Sequence, residues 1–200
     1  TINPPDINKS YANFKILNDK TIQYGLAAVK NIGYKGIKDI ISYREKNGNF
    51  HSVFDLAQTN INKKILESLI LVGACDNLKE HRAQMFEGID IILNYINRIQ
   101  NKKDLNQESL FGDNSDFGVQ HSTLNECEIW SKEECSKHEK ELLGFYLRNN
   151  PLTEYESDLK ELSFVSEDNP NIRLGGIVAD IKYRFDKNGN KWALVTIETL

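Results

Sequence analysis

The sequence predicts a mainly α-helical bundle of two successive helix–turn–helix units, followed by an incomplete all-β segment. Apolar residues recur every three or four positions from Leu26 to Ile99, which is the period of amphipathic helices. From Ile172 onward the period becomes two, which is typical of strands. Residues 104–128 follow neither period and are rich in Asn, Asp, Ser and Gly, which indicates a linker between the two parts.

Charge is segregated along the chain, although the net charge of −4 argues by itself against a nucleic-acid partner. Residues 21–103 hold twelve basic and eight acidic side chains, whereas residues 104–170 hold five and sixteen. The two ends are mildly basic. Residues 1–20 hold three basic and two acidic side chains, and residues 171–200 hold five and three. A basic helical part is therefore separated from a basic end by an acidic connector.

Three cysteines and the lack of a long apolar run predict a cytoplasmic protein without a disulfide framework. The chain starts at Thr1 rather than Met and stops within a predicted strand, so we expect it to be part of a larger protein. Residues 1–20 are predicted to be an extended segment, because Pro4 and Pro5 disfavour helix in the residues before them.

Residues 21–103 are predicted to contain both helix–turn–helix units. The first follows Tyr24, where Asn31, Gly33 and Gly36 tolerate positive φ and would turn successive backbone N–H groups outward. Lysines flank this turn, so the expected ligand is a phosphodiester backbone. The turn resembles a helix-hairpin-helix DNA-binding element with Asn31 in place of the usual first glycine. The predicted contacts are Lys30, Asn31, Ile32, Gly33, Tyr34, Lys35, Gly36 and Lys38.

An ordinary bundle remains an alternative for the first turn, with glycines as caps and lysines as a solvated face. Farther along, Ser52 and Asp55 predict a capping box, Asn62 caps the next helix, and Gly73 ends it. His81 is predicted to begin one long helix. The second turn lacks the combination of glycines and lysines, so we interpret it as a degenerate structural partner of the first.

The acidic linker, residues 104–128, contains two adjacent apolar residues, Leu110 and Phe111. Apolar anchors in a polar linker usually dock into a partner's pocket. Together with Gln107 they resemble the peptide by which bacterial replication proteins bind the sliding clamp, the two anchors filling a pocket and Gln107 bonding at its edge. The alternative is that Leu110 and Phe111 fold back onto this chain.

Residues 129–165 are predicted to be a helical connector, with an amphipathic helix from Trp130 to Tyr146. Cys127, Cys135 and His138, with His121 as a fourth ligand, raise the question of a zinc site. Their spacing has no close Cys-x-x-Cys pair, so we predict no bound metal.

Residues 166–200 are predicted to form two strands, from Ile177 to Phe185 and from Trp192 to Thr199, joined by a turn at Asn188 and Gly189. This segment resembles the start of an OB-fold, which binds single-stranded nucleic acid by stacking and backbone charge. The residues expected to do so are Lys182, Arg184, Lys191 and Trp192. An ordinary meander with Trp192 in its core is the alternative.

Taken together, the chain resembles the C-terminal region of the C-family replicative polymerases, the bacterial DNA polymerase III alpha subunits. The stretches that carry the resemblance span nearly the whole chain and read PPDIN, YGLAAVKNIG, NKKILESLILVGACDNL, HRAQM, QESLFG, EKELLGFYLRNNPLTEY and GGIVADIKYRFDKNGNKWALVTIE. The resemblance implies the end of the fingers in residues 1–20, then a tandem helix-hairpin-helix domain, a clamp-binding motif and the first part of an OB domain.

That family's nucleotidyl transfer uses Mg²⁺ held by palm-domain aspartates, and this chain shows no matching carboxylate cluster. We therefore expect a non-catalytic part of a DNA-directed DNA polymerase with no cofactor of its own. Its expected partners are duplex DNA, the sliding clamp, single-stranded template and the other polymerase domains. The competing hypothesis is a protein-interaction module in which the hairpins are only a scaffold.

Overall fold

The computed structural model describes residues 1–104, 123–162 and 175–199, which form two compact units, Thr1–Arg148 and Asn149–Leu200. The described end of the linker, residues 123–128, and about the first half of the predicted connector, residues 129–148, fall within the first unit. None of the helices in these three ranges is long and apolar enough to cross a membrane.

The first unit begins with a small sheet of β1 (Ile2–Asn3), β2 (Lys15–Asn18) and β3 (Thr21–Gln23). The strand order is β1-β3-β2, with β1 parallel and β2 antiparallel to β3. The loop between β1 and β2 enters the helical core, because Ile7 is fully buried and donates its N–H to the Ala74 carbonyl oxygen at 2.8 Å. Residues 1–20 therefore include two short extended strands and pack against the helices through Ile7.

Helices follow in chain order, and most caps lie where the sequence predicts them. A 3₁₀ helix, Leu26–Ala28, precedes α1 (Tyr34–Asn47), and a second one, Val53–Gln58, begins with the predicted capping box of Ser52 and Asp55. In α2 (Lys63–Leu71), the Asn62 side chain accepts the Ile65 N–H at 2.9 Å. These caps are confirmed. They could be predicted because each one joins residues only three positions apart in the sequence.

Two predicted helices differ in the structure. The helix expected before the first turn is only the three-residue 3₁₀ helix, Leu26–Ala28. The long helix expected after His81 is divided at Gly88 into α3 (Arg82–Glu87) and α4 (Ile89–Asp104). The first of these helices does begin at His81, whose imidazole caps α3: Nδ1 accepts the Gln84 N–H at 3.3 Å.

The core of the first unit lies between α1, α2 and α4. Most of its fully buried side chains are aliphatic, and those on the helices recur at helical spacing, among them Ile37, Ile40, Leu66, Leu69, Ile92 and Ile96. Each contributes roughly 1.5–3 kcal/mol of burial free energy. The helix α5 (Lys132–Leu143) completes the unit; Ser131 caps its N-terminus and Gly144, with φ of 90°, ends it.

The second unit contains a 3₁₀ helix, Pro151–Tyr155, then α6 (Glu156–Leu162), β4 (Ile177–Phe185) and β5 (Lys191–Glu198). Between residues 175 and 199 the two strands form one antiparallel hairpin, so this described stretch is not a closed barrel. The Asp186 carboxylate organises its turn by accepting hydrogen bonds from the side chain and backbone of Asn190 and from the Asn188 backbone, which lower the Asp186 pKa.

Candidate functional site

The first hairpin turn depends on one residue in the left-handed conformation. Asn31 has φ of 68° and is the only non-glycine residue with positive φ in the described ranges. Asparagine tolerates this conformation better than other non-glycine residues, so the expectation for this position is confirmed. The side chain of the next residue, Ile32, is buried and anchors the turn from inside, so it offers no surface contact.

The two glycines of this turn act differently from the prediction. Gly33 is extended, with φ of −85° and ψ of 148°, and it is the N-cap of α1. Gly36 lies in the first turn of α1, where a Cβ would collide with Ile65 Cδ1. Gly36 therefore allows close packing of α1 against α2. The predicted series of left-handed glycines is wrong.

The anion-binding capacity of the turn comes instead from the N-terminus of α1. The first N–H groups of a helix have no intrahelical acceptor, and here no side chain caps them. The first turn of α1 also contains no acidic residue. Its positive end is therefore not neutralised by a neighbouring carboxylate, which favours an anionic ligand.

The predicted lysines divide into two kinds. Lys35 and Lys38 are exposed on α1, beside its N-terminus. Lys30 contacts α5 instead: its Nζ donates to the Glu141 carbonyl oxygen at 2.8 Å, and its backbone N–H donates to the Leu142 carbonyl oxygen at 3.0 Å. Lys30 thus joins the hairpin to the C-terminus of α5, and the free cations of the site are Lys35 and Lys38.

The second hairpin turn is already occupied by side chains of its own unit. Gly73 has φ of 75°, and a Cβ there would collide with the Arg82 guanidinium. Arg148 donates to the carbonyl oxygens of Val72 and Gly73 at 3.4 and 3.3 Å. This turn therefore has the left-handed glycine that the first turn lacks, but no free surface for a ligand.

A buried ionic cluster holds α5 against the second hairpin. Arg82 donates to both oxygens of Asp76 at 2.6 Å and to Glu139 Oε1 at 2.8 Å, and Arg148 donates to the same Glu139 oxygen. Burial opposes the charge on Arg82, but the hydrogen bonds and charges of Asp76 and Glu139 outweigh it and raise the Arg82 pKa. Sequence reasoning missed this cluster, because Arg82 and Glu139 are 57 positions apart.

The strand hairpin places three of its four predicted residues on one face. Arg184 pairs with Trp192 and Lys182 pairs with Leu194, so Lys182, Arg184 and Trp192 share a face. Lys191 pairs with Phe185 on the other face, where its Nζ lies 4.1 Å from the centre of the Tyr183 ring. The Trp192 side chain is 46% exposed, so it is not a core residue within this unit.

Two further expectations concern the clamp-binding motif and metal binding. Gln107, Leu110 and Phe111 lie outside the described residues. Among the residues that are described, no group of three His, Cys, Asp or Glu side chains could hold a metal ion. The described part of the chain therefore does not fit a two-metal nucleotidyl-transfer site, and we assign it no step of that chemistry.

Comparison with known proteins gives two findings. A family model described as a helix-hairpin-helix motif matches residues 1–85. Proteins named DNA polymerase III subunit alpha align with 97–98% of the chain: the one from Borreliella burgdorferi is 34% identical, that of Buchnera aphidicola from Acyrthosiphon pisum 32%, and that of Escherichia coli 30%. The chain spans 18% of the length of each of these relatives.

Proposed function

The chain is a homologue of one region of the bacterial DNA polymerase III alpha subunit, and from this we propose that its first hairpin binds the backbone of duplex DNA. In this proposal a phosphate lies against the free N–H groups at the start of α1, and Lys35 and Lys38 neutralise that phosphate and its neighbour. Such contacts read no base edge, so binding is independent of sequence.

The observation that carries this proposal is the difference between the two hairpins. At the first, the α1 N-terminus has no acidic residue in its first turn and two exposed lysines beside it. At the second, Arg148 and Arg82 are paired with Glu139 and Asp76 inside the unit. A negatively charged ligand therefore finds free donors only at the first of these two turns.

Salt-dependent binding to a blunt duplex tests the proposal. We expect affinity measured by fluorescence anisotropy to fall log-linearly with salt, and Lys35→Glu or Lys38→Glu to weaken it about tenfold and reduce the slope by about one. Lys132→Glu is the matched control, because Lys132 is exposed at the opposite end of α5 from the hairpin contact. Equal losses in all three variants would point to general charge rather than to the hairpin.

The strand hairpin is proposed to contact single-stranded template through Lys182, Arg184 and Trp192. The support is their common face, on which an exposed aromatic ring lies beside two cations. Trp192→Ala should weaken binding to an oligothymidine several-fold, whereas Tyr183→Ala, on the opposite face, should not. If both variants bind like the parent chain, this hairpin has no role in binding single strands.

Gln107, Leu110 and Phe111 are proposed to bind the sliding clamp. The support is the sequence pattern Gln-x-x-Leu-Phe within an acidic linker and the homology to a replicative polymerase subunit. Surface plasmon resonance with immobilised clamp should show binding that the double variant Leu110→Ala, Phe111→Ala abolishes. Phe117→Ala is the matched control, because it removes another aromatic residue from the same linker. A lost signal in the control as well would contradict the motif.

The combined role is to hold a polymerase on its template. Binding to the duplex raises the effective concentration of the chain at the clamp, and binding to the clamp raises it at the duplex. The chain itself is proposed to be inactive in nucleotide incorporation, the Mg²⁺-dependent chemistry belonging to other parts of such a polymerase. A primer-extension assay tests this, and incorporation by the pure chain would refute it. Clamp binding without any duplex binding would instead support the interaction-module alternative.

A further inference from the structure

A groove of about 560 Å³ runs along α1 beside the first hairpin, and the proposed function leaves it without an occupant. One wall is the segment from Tyr11 to Lys15. The other wall is the single face of α1 formed by residues at helical spacing, namely Tyr34, Lys38, Ile41, Ser42 and Glu45. We call this feature the α1 groove.

The non-helical wall of the α1 groove is fixed in place by the hairpin itself. Leu26 and Ala27 donate their backbone N–H groups to the carbonyl oxygens of Tyr11 and Ala12 at 2.9 and 3.0 Å. Gly25 packs so closely against this segment that a Cβ would lie 2.5 Å from the Asn13 carbonyl carbon. The groove is therefore preformed, so a ligand need not organise it.

Its lining combines exposed aromatic rings with positive charge. Phe14 and Tyr34 are 52% and 59% exposed, one on each wall. Lys15 lies with its Nζ 4.0 Å from the centre of the Tyr11 ring, and Lys38 is on the opposite wall. The acidic lining residue, Glu45, is on the α1 wall about three turns from Tyr34. Lys38 is about one turn from Tyr34, so on the α1 wall the end next to the hairpin is the positive end.

We propose that the α1 groove binds an unpaired nucleobase of a DNA strand, stacked against Phe14, with its phosphate toward the hairpin end. The volume is within the usual range for a small-ligand pocket, and a free aromatic face beside lysines is the common means of holding single-stranded nucleic acid. An apolar peptide would use the rings but not Lys15 and Lys38, so the charge favours the nucleotide.

The inference rests on the proposed function for the position of the duplex, since Tyr34 directly follows the N-cap Gly33. A duplex bound at the hairpin would place a single-stranded extension at the positive end of the groove. The two proposals can fail separately. Failure of the chain to bind a blunt duplex would refute the hairpin proposal. Blunt-duplex binding that no overhang strengthens would refute only the groove proposal.

The test compares blunt duplexes with duplexes that carry a four-nucleotide overhang on either the 5′ or the 3′ end. We expect one overhang polarity to raise affinity about tenfold and 2-aminopurine in that overhang to be quenched on binding. Phe14→Leu should remove both effects and leave blunt-duplex affinity unchanged. Tyr155→Leu is the matched control, because Tyr155 is 57% exposed in the other unit.

A second variant covers the case in which Phe14→Leu unfolds, since the Phe14 ring packs on Tyr24 at 4.6 Å between centroids. Ser42→Met fills the groove from α1 and should also abolish the overhang effect. Overhang effects that depend on Trp192 but on neither groove variant would assign the single strand to the β4–β5 hairpin and overturn the proposal. An absence of any overhang effect would overturn it too and leave a polypeptide as the occupant to be sought.

Discussion

Lys30 Nζ lies 2.8 Å from the carbonyl oxygen of Glu141, so the first hairpin is bonded directly to the C-terminus of α5. The pair is separated by 111 positions in the chain. A lysine near the last turn of a helix also interacts favourably with its negative end. Lys30 therefore has a structural partner on α5, whereas Lys35 and Lys38 are exposed on α1.

Replacing Lys30 should affect α5 more than DNA binding. Lys30→Met keeps the length of the side chain but removes the exposed hydrogen bond, which contributes about 1 kcal/mol or less. We expect the Gly144 amide, which closes the last turn of α5, to exchange its hydrogen faster. The salt slope of duplex binding should remain unchanged, whereas Lys35→Met should reduce it by about 0.9. A reduced slope for Lys30→Met would mean that Lys30 leaves Glu141 and contacts the phosphate.

Asn31 should be replaceable by glycine but not by valine. Its φ of 68° costs a β-branched residue about 1–2 kcal/mol, whereas glycine adopts it freely. In urea unfolding, Asn31→Gly should be within about 0.5 kcal/mol of the parent chain and Asn31→Val should lose about 1–2 kcal/mol. Equal stability of the two variants would show that the turn can form without a left-handed residue.

Two glycines of the hairpin region should differ strongly in the stability that alanine costs. A Cβ at Gly25 would meet three backbone atoms within 2.8 Å, whereas a Cβ at Gly33 meets nothing within 4 Å. Gly25→Ala should therefore cost more than about 2 kcal/mol, because backbone cannot move aside cheaply. Gly33→Ala should cost less than about 1 kcal/mol, since its φ is negative and only the N-cap preference for glycine over alanine is lost. Thermal unfolding of the pair measures the contrast, and similar costs would contradict it.

Removing the charge of Glu139 should destabilise the first unit strongly. Its carboxylate is 2% exposed and is shared by Arg82 and Arg148, so Glu139→Gln leaves two guanidinium groups short of a counter-charge. We expect a loss of about 3 kcal/mol in the free energy of unfolding. Glu141→Gln, on the same helix but exposed, should change it by less than about 0.5 kcal/mol. A small effect of Glu139→Gln would mean that the buried cluster contributes little net stability.

Stability should fall at alkaline pH because of Cys75. Burial raises the pKa of this thiol, followed by the charges of Asp76 and Asp6, so the folded chain keeps its proton where the unfolded chain loses it. The contribution is complete below the unfolded thiol pKa of about 8.5 and is lost above it, at up to about 1.4 kcal/mol per pH unit. Urea midpoints between pH 7.5 and 10 should show this slope, and Cys75→Ala should reduce it. An equal slope in the variant would assign it to other groups, such as the buried Tyr24.

Features that depend on neighbouring residues were predictable from the sequence, and features formed across the chain were not. The Asn62 cap and the β4–β5 hairpin follow from residues within a few positions of each other. The prediction of a left-handed Gly33 is wrong, because glycine occurs both at extended N-caps and in left-handed turns and only the backbone angles distinguish the two. Lys30 and Glu139 acquire their roles from partners on distant helices. Which lysines of the hairpin remain free therefore depends on the position of α5, which the sequence does not give.

The contacts of α5 with both hairpins also bear on the order in which the chain can fold during synthesis. The family model ends at residue 85, yet the ionic cluster is complete only when Glu139 and Arg148 are present. A ribosome that has released only the two hairpins has exposed Arg82 together with Asp76, but its second counter-ion, Glu139, has not yet been synthesised. We infer that the hairpins remain loosely held until the chain reaches about residue 148.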